Sequence, residues 1–381
     1  MGCDCVNFSS QKDELILSKL IGSYAINEYE KNSKNPSRMD ILKKSKLEMG
    51  KDVNLSIDNF KEYIGEKILQ EESKRGELII PNEIIDLLNK NLEFKSPKFI
   101  DKNTIYYGQW DNNIISGKGE LYNLHLNKYI KGIWQNDNLY YGRIYLNEGI
   151  YEGYINENEF NGKGKMEYKN NIIYEGNWFK RLKEGKGTLI YPDGCKYIGN
   201  FKNDKKSGEG EFFWDNEDKY EGNFNNDIFE GEGYLKIKNG SEYKGNFHNG
   251  YIHGKGQFIW KNGDKYEGDY YYGKKKGKGI YIFNNGNKFN GEWEDNKPNN
   301  RGNFEFNNFI YKTYWNCGKI IEYSIINKND DNNNNENINF NSLNWMIEDI
   351  DIKQLKHLNI QIMNDNNSNI EYYQNENTNS N

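Results

Sequence analysis

The stretch "YEGNWFKRLKEGKGTLIYPDG", Tyr174–Gly194, decides the fold, because much the same string returns every 23 residues. Its leading motif, Y-x-G-x-(W/F/Y), stands at Tyr106-Gly108-Trp110, Tyr174-Gly176-Trp178, Tyr197-Gly199-Phe201, Tyr220-Gly222-Phe224, Tyr243-Gly245-Phe247 and Tyr266-Gly268-Tyr270. Weaker copies begin at Ile130, Tyr151, Phe289 and Tyr311. Eleven residues after each good start comes G-x-G, as at Gly117/Gly119, Gly185/Gly187, Gly208/Gly210 and Gly254/Gly256. A fixed period of this length marks a repeat architecture, in which each unit buries its face only against its neighbours.

The spacing names the unit. Tyr174, Gly176 and Trp178 are two apart, so on a strand they share one face. Gly185, Gly187, Leu189 and Tyr191 follow the same alternation, with Lys186, Thr188 and Ile190 opposite. Asp193-Gly194, Asn239-Gly240, Asn262-Gly263 and Asn285-Gly286 then supply the positive φ that tight turns need. Each repeat therefore predicts a β-hairpin, and successive hairpins predict one antiparallel sheet. No second sheet is coded, so the rings must lie over neighbouring strands, with bare glycine beneath them. The fold class is mainly β: an elongated single-layer antiparallel sheet of tandem hairpins, with short N-terminal helices and one C-terminal helix.

Composition agrees. Hydrophobic residues make up only 35% of the 381, yet 30 are Tyr and 38 are Gly, which suits a ring-faced sheet better than a thick aliphatic core. The net charge of −6 argues against nucleic-acid binding, which needs a basic footprint. No apolar run approaches the roughly 18 residues that span a bilayer, and no cleavable signal peptide is visible. Cys3, Cys5, Cys195 and Cys317 suggest neither a disulfide framework nor a zinc site, which fits a cytoplasmic location.

Y-x-G-x-W followed by G-x-G and D/N-G at this period resembles the MORN repeat (membrane occupation and recognition nexus) over residues 103–324, as about nine repeats plus a degenerate cap. The second copy departs, with Ile130 for the leading Tyr and Gly142 alone where a pair is expected; Gly302 stands alone near the end, and Thr313 replaces a glycine. The resemblance implies a scaffold joining membranes to cytoskeletal structures, in some members those of cilia and flagella. It also implies two alternatives: a structural component of a ciliary axoneme without a lipid anchor, or a regulatory module for a separate phosphoinositide kinase.

The ends differ from the array. In "MGCDCVNFSS", Gly2 is a myristate acceptor once Met1 is removed, and Cys3 and Cys5 are palmitate acceptors, a two-signal tether over residues 1–12. Val6 stands where the myristoylation pattern has Ser or Thr. Residues 13–98 read as helical: Ile57, Phe60, Ile64 and Ile68 recur at helix spacing behind Ser56, a candidate N-cap, and Ile84, Ile85, Leu88 and Leu92 form a second stripe. These helices are expected to cover the first hairpin or one another. Residues 327–341 form an Asn-rich linker, 342–358 an amphipathic helix through Leu343, Met346, Ile347, Ile350, Leu355 and Leu358, and 364–381 a disordered tail.

No catalytic, cofactor or metal site is read from the sequence. The nearest approach to a phosphate loop, "GDYYYGKK" (268–275), lies inside a hairpin and ends on Lys275 where a hydroxyl belongs. His248 and His253 lack a third ligand nearby. The face opposite the rings carries Lys118, Lys163, Lys186, Lys255 and Lys278 between the glycine pairs, interleaved with Glu152, Glu175, Glu221 and Glu267. This reads as cross-strand pairing, or alternatively as a lysine row for anionic lipid. Ile190, Phe213, Ile259 and Ile282 form an apolar line on that face, interrupted by Glu167 and Lys236, and are the expected protein-binding site. Exposed end strands suggest homo-oligomers. The expected partners are cytoskeletal or ciliary proteins and a membrane.

Overall fold

The computed structural model describes residues 55–85, 88, 92–306 and 309–328. The proposed tether, linker, C-terminal helix and tail lie outside these residues. The chain divides into two units, Phe8–Pro192 and Asp193–Asn381 with the first seven residues.

In the first unit, three helices precede nine strands. The helices are α1 (Ile57–Ile64), α2 (Glu66–Arg75) and α3 (Asn82–Ile85). The strands are β1 (Glu93–Asp101), β2 (Thr104–Asp111), β3 (Ile114–Asn123), β4 (Lys128–Gln135), β5 (Asn138–Tyr145), β6 (Gly149–Asn156), β7 (Glu159–Tyr168), β8 (Ile173–Phe179) and β9 (Leu182–Ile190). Each strand pairs antiparallel with the next, an open meander. Ser56 caps α1 as expected, its Oγ accepting from the Asn59 amide at 3.1 Å.

The array begins earlier than the sequence suggests. Residues 93–98, read as the end of the helical region, belong to β1, which pairs with β2. Pro97 disguises this strand, since proline demotes a run to non-strand. It is tolerated because it falls in the register break between Lys95 and Lys98, on an edge.

In the second unit the pattern becomes regular: β10 (Lys196–Lys202), β11 (Lys205–Phe213), β12 (Lys219–Asn225), β13 (Ile228–Lys236), β14 (Glu242–His248), β15 (Tyr251–Ile259), β16 (Lys265–Tyr271), β17 (Lys274–Ile282), β18 (Lys288–Glu294), β19 (Lys297–Phe306), β20 (Phe309–Asn316) and β21 (Lys319–Lys328). This too is an open antiparallel meander.

Rings on glycine organise both sheets. Gly164 faces Gly176, which faces Gly187; in the second unit Gly210, Gly222, Gly233, Gly245, Gly256, Gly268 and Gly279 line up likewise. Tyr174, Tyr197, Tyr220, Tyr243 and Tyr266 are fully buried over this row. A Cβ on Gly233 would stand 2.6 Å from the Tyr220 ring, and one on Gly222 would stand 2.7 Å from the Cα of Gly233. Each of these tyrosines also spans a bulge: its hydroxyl donates to the carbonyl three residues on, Asn177 at 2.8 Å, Asn200 at 2.9 Å and Asn223 at 3.0 Å. The ladder breaks register there, between Gly222 and Phe224 in β12. The phenol thus satisfies a carbonyl beside the bulge.

Two features of the backbone differ from the expectation. The first glycine of each G-x-G does not make room for a ring. Gly185, Gly208, Gly231 and Gly254 have φ between 68° and 76°, and a Cβ on Gly231 would meet nothing nearer than 3.9 Å. They serve the bulge, where the left-handed region demands glycine. The hairpin turns also fall elsewhere: the two-residue turns include Lys180-Arg181, Asn203-Asp204, Asn226-Asp227 and Asp295-Asn296, with both φ positive as a type I′ turn requires. Asp193-Gly194, Asn239-Gly240, Asn262-Gly263 and Asn285-Gly286 instead close the longer turns between repeats, as in Trp260–Asp264, while Asn249-Gly250 makes a two-residue turn.

Turns are stitched to their neighbours. Asp227 Oδ1 accepts from the Lys206 amide, and Asn296 Oδ1 from the Lys275 amide, both at 2.8 Å. On the opposite edge Asp218 accepts from Lys238 and Asp264 from Asn284, again at 2.8 Å.

Candidate docking faces

The ring face is closed by its own side chains. Tyr220 stacks on Phe229 with centroids 3.7 Å apart and meets Phe247 of the next hairpin edge-on at 5.2 Å. Phe160 stacks on Tyr151 in the same way. Three hairpins place lysine in that position. Lys275 is 2% exposed, its Nζ lying 4.8 Å from Trp260, 5.4 Å from Tyr266 and 5.0 Å from both Tyr281 and Trp293. The string 268–275 is therefore strand, turn and a ring-caged lysine. A desolvated ammonium over ring faces replaces a stacked ring.

The opposite face is where the helices of the first unit lie. In the first unit its cross-strand register places Phe99, Ile105, Tyr122, Tyr129, Tyr145 and Ile150 in one row. It continues through Glu167 to Ile173 and Ile190. Helices α1 and α2 lie on the first part: Leu55, Phe60 and Ile64 join Ile105, Tyr122, Tyr129 and Tyr145 in one core, with Ile68 and Leu69 against it. The helices advance across the strands. Tyr63 meets Phe99 of β1, Phe60 meets Tyr107 of β2, and Arg75 reaches Glu167 of β7 at 2.6 Å. A second cluster seats Ile84 of α3, with Leu78 and Ile80, on Ile133 and Tyr141. The expected covering of the first hairpin thus extends over several.

Charge fixes the register of α2. Glu72, buried, accepts from Arg143 Nη1 at 2.9 Å and from the Tyr145 hydroxyl at 2.6 Å, while Lys131 Nζ lies 3.1 Å away. Burial pushes the Glu72 carboxyl up, but hydrogen bonds from Tyr145, Arg143 and Lys131 outweigh it and hold the group below its usual range. Arg143 also binds Glu152 at 2.8 Å and the Gly76 carbonyl at 3.0 Å, which ties the end of α2 to the sheet. The hydrogen bond from Arg75 brings Glu167 down to about 2. Glu167, an interruption in the apolar line, is the residue on which α2 ends.

In the second unit the equivalent register runs Lys196, Phe213, Lys219, Lys236, Glu242, Ile259, Lys265, Ile282 and Lys288. Phe213, Ile259 and Ile282 are half-buried, and Ile190 in the first unit is 38% exposed. Lys196 and Lys219 lie over the Phe213 ring at 5.7 and 5.3 Å. No described helix covers this stretch. The lysines between the glycine pairs sit four residues along the strand from this row; Lys255 pairs with Asp269 at 2.6 Å, as cross-strand pairing expects. His248 and His253 stand 5.5 Å apart, with Glu230 2.8 Å from His248, and no metal-ligand cluster is present among the described residues. Gly2, Cys3 and Cys5 lie outside the described residues. Sequence reasoning missed Glu72, Arg143 and Tyr145, whose partners lie 71 to 73 residues apart.

The MORN-repeat profile matches residues 106–122, 151–172, 174–196, 197–219, 220–242, 243–265, 266–288 and 289–309. The chain belongs to the MORN-repeat family. These eight MORN repeats fall on the hairpins described above, and the family is one of repeat scaffolds and binding modules. The copy from Ile130 falls outside the match, yet its strands β4 and β5 keep the glycine register through Gly132 and Gly142. Solved structures with some similarity include the TCP domain of Drosophila melanogaster SAS-4 in complex with a proline-rich motif of Ana2. It is 10% identical and covers 44% of this chain and 85% of that one, with a TM-score of 0.27. The TCP10c domain of Drosophila melanogaster Sas-4 is 17% identical, covering 45% and 90%, with a TM-score of 0.23. No curated protein matches the sequence.

Proposed function

We propose that this MORN-repeat chain is a non-catalytic scaffold that binds amphipathic helices on the face opposite its rings. Acyl chains on Gly2, Cys3 and Cys5 hold it at the cytoplasmic side of a membrane, and its partners are cytoskeletal proteins. One observation carries the docking part of this reading: α1 and α2 already use the row through Ile105, Tyr129 and Tyr145 as a helix seat. In the second unit the equivalent row, with Phe213, Ile259 and Ile282, is covered by no described helix. Aligned apolar residues ringed by charge are what an amphipathic helix requires.

Two experiments test it. Metabolic labelling with alkynyl myristate and palmitate is expected to mark the wild type and not Gly2→Ala/Cys3→Ser/Cys5→Ser, which then leaves the membrane fraction. Identical fractionation refutes the tether. Phe213→Ser/Ile259→Ser is expected to abolish partner capture without unfolding the sheet, and unchanged capture refutes the docking row.

A further inference from the structure

We propose that the uncovered row of the second unit is occupied, in the resting protein, by the chain's own segment 342–358. The inference rests on reading that row as a helix seat and adds what sits there and how access is controlled.

The chain supplies its own precedent. In the first unit, helices from the same polypeptide cross the strands on this register, with apolar residues on the row and an acid, Glu72, on Lys131 and Arg143. Segment 342–358 has the same make-up. At helix spacing Leu343, Met346, Ile347 and Ile350 share one face, and Glu348 and Asp351 flank it on one side. The seat is mostly cationic: Lys219, Lys236, Lys265 and Lys288 share the row with Phe213, Ile259 and Ile282, and Glu242 stands between Lys236 and Ile259. Among the described residues, Lys236 and Lys265 make no ion pair.

Lengths agree as well. A helix of 17 residues is about 25 Å long. The row from β11 to β17 crosses six strand spacings, about 29 Å. The described chain leaves this unit at Lys328, and the 13 residues from 329 to 341 reach at most about 43 Å. From β21 back to Ile282 is four spacings, about 19 Å, and to Ile259 about 29 Å. The N-terminal helices cannot serve this seat, since α1 and α2 are committed to the first unit.

Occupation in cis makes the seat self-competing. A short flexible tether holds its segment at an effective concentration of about 1 mM, so a partner helix must outbind it or wait for its release.

Carbodiimide cross-linking of the full chain, as a mixture of 14N- and 15N-labelled protein, reads the contact by mass spectrometry. Links from Lys236 or Lys265 to Glu348, Asp349 or Asp351 within one isotopic chain are expected, and they are expected to fall about tenfold in full-length Ile347→Asp/Ile350→Asp, which leaves the sheet untouched. Absent links, links that persist in that variant, or links joining differently labelled chains (a second copy in the seat) overturn the proposal.

A fluorescein-labelled peptide of residues 342–358 separates this inference from the docking reading. It is expected to bind full-length Ile347→Asp/Ile350→Asp about tenfold more tightly than wild type and to lose that binding when Phe213→Ser/Ile259→Ser is added. Equal binding to wild type and variant overturns occupation in cis and leaves the row as a helix seat. Binding to neither overturns both.

Discussion

Replacing Gly233 by alanine tests the central packing device of the sheet. On ordinary grounds the change should help, because alanine loses less backbone entropy than glycine, a gain of about 0.5–1 kcal/mol. The geometry says otherwise. The new methyl would lie 2.6 Å from Cε2 of Tyr220, whereas carbon atoms settle about 3.5 Å apart, so the ring must retreat by about 0.9 Å. It has nowhere to go, being fully buried and stacked 3.7 Å from Phe229. Overpacking of this kind costs about 1–3 kcal/mol, and losing the hydroxyl's bond to the Asn223 carbonyl about 1 more. The net expectation is a loss of about 2 kcal/mol, set by those terms against the entropy gain. Urea denaturation followed by circular dichroism gives the global value, and hydrogen exchange over residues 219–236 the local one. A double-mutant cycle sharpens the test. In a Tyr220→Ala background the Gly233→Ala penalty should vanish, because the ring was its cause. Gly222→Ala should keep most of its penalty there, since besides the Tyr220 hydroxyl at 2.6 Å its methyl meets the Gly233 Cα at 2.7 Å and the Glu232 carbonyl at 2.8 Å, both backbone. A Gly233→Ala protein as stable as the wild type, or a penalty indifferent to Tyr220, would refute the argument.

Other expectations follow from the same contacts. Acid should loosen α1 and α2 before the sheet: Glu167 is held at about 2 against an ordinary 4.5, so its contribution is complete above about pH 4.5 and drains as pH falls towards 2. Glu72 shifts in the same direction, and exchange of amides 57–75 should therefore accelerate below pH 4.5 relative to β12–β17; equal acceleration would count against the anchor. Tyr220→Phe should destabilise by about 1 kcal/mol in the urea assay, through the unsatisfied carbonyl beside the bulge. Lys275→Phe should be tolerated within about 1 kcal/mol, because Phe229 fills the corresponding site, whereas Lys275→Ala should cost about 2 kcal/mol through lost stem packing and cation–π contact. Asp227→Ala should unpair the Lys206 amide and cost about 1–2 kcal/mol, raising exchange at Lys206 as well as in its own turn.

The hairpins were legible because their signals are local and repeated: Tyr174-Gly176-Trp178 fixes a face by alternation alone, and 23-residue copies multiply the evidence. What escaped notice was of two kinds. Local geometry hid where one residue type serves two purposes, so Gly185 and Gly187 read as equals although one answers to backbone conformation and the other to a ring. The Asn-Asp turns hid because Asp-Gly looked like the better turn. Contacts between distant positions were not legible at all: nothing in Arg143 or Glu72 announces a partner some seventy residues away. The apolar line was visible in sequence as Ile190, Phe213, Ile259 and Ile282, but the seating of α1 and α2 on Ile105, Tyr122, Tyr129 and Tyr145 of the first unit was not, because it too rests on contacts between distant positions.

The stitched turns bear on how such a chain changes length. Asp227 serves the repeat before its own, and Asp218 the one after, so no hairpin is self-sufficient. Excising 220–242 would bring Gly210 opposite Gly245 and Phe212 opposite Tyr243, remaking the seam with residues of the same kind. Removing any number that is not a multiple of 23 would rupture both edges at once. Whole modules are therefore the only currency in which the array can be lengthened or shortened.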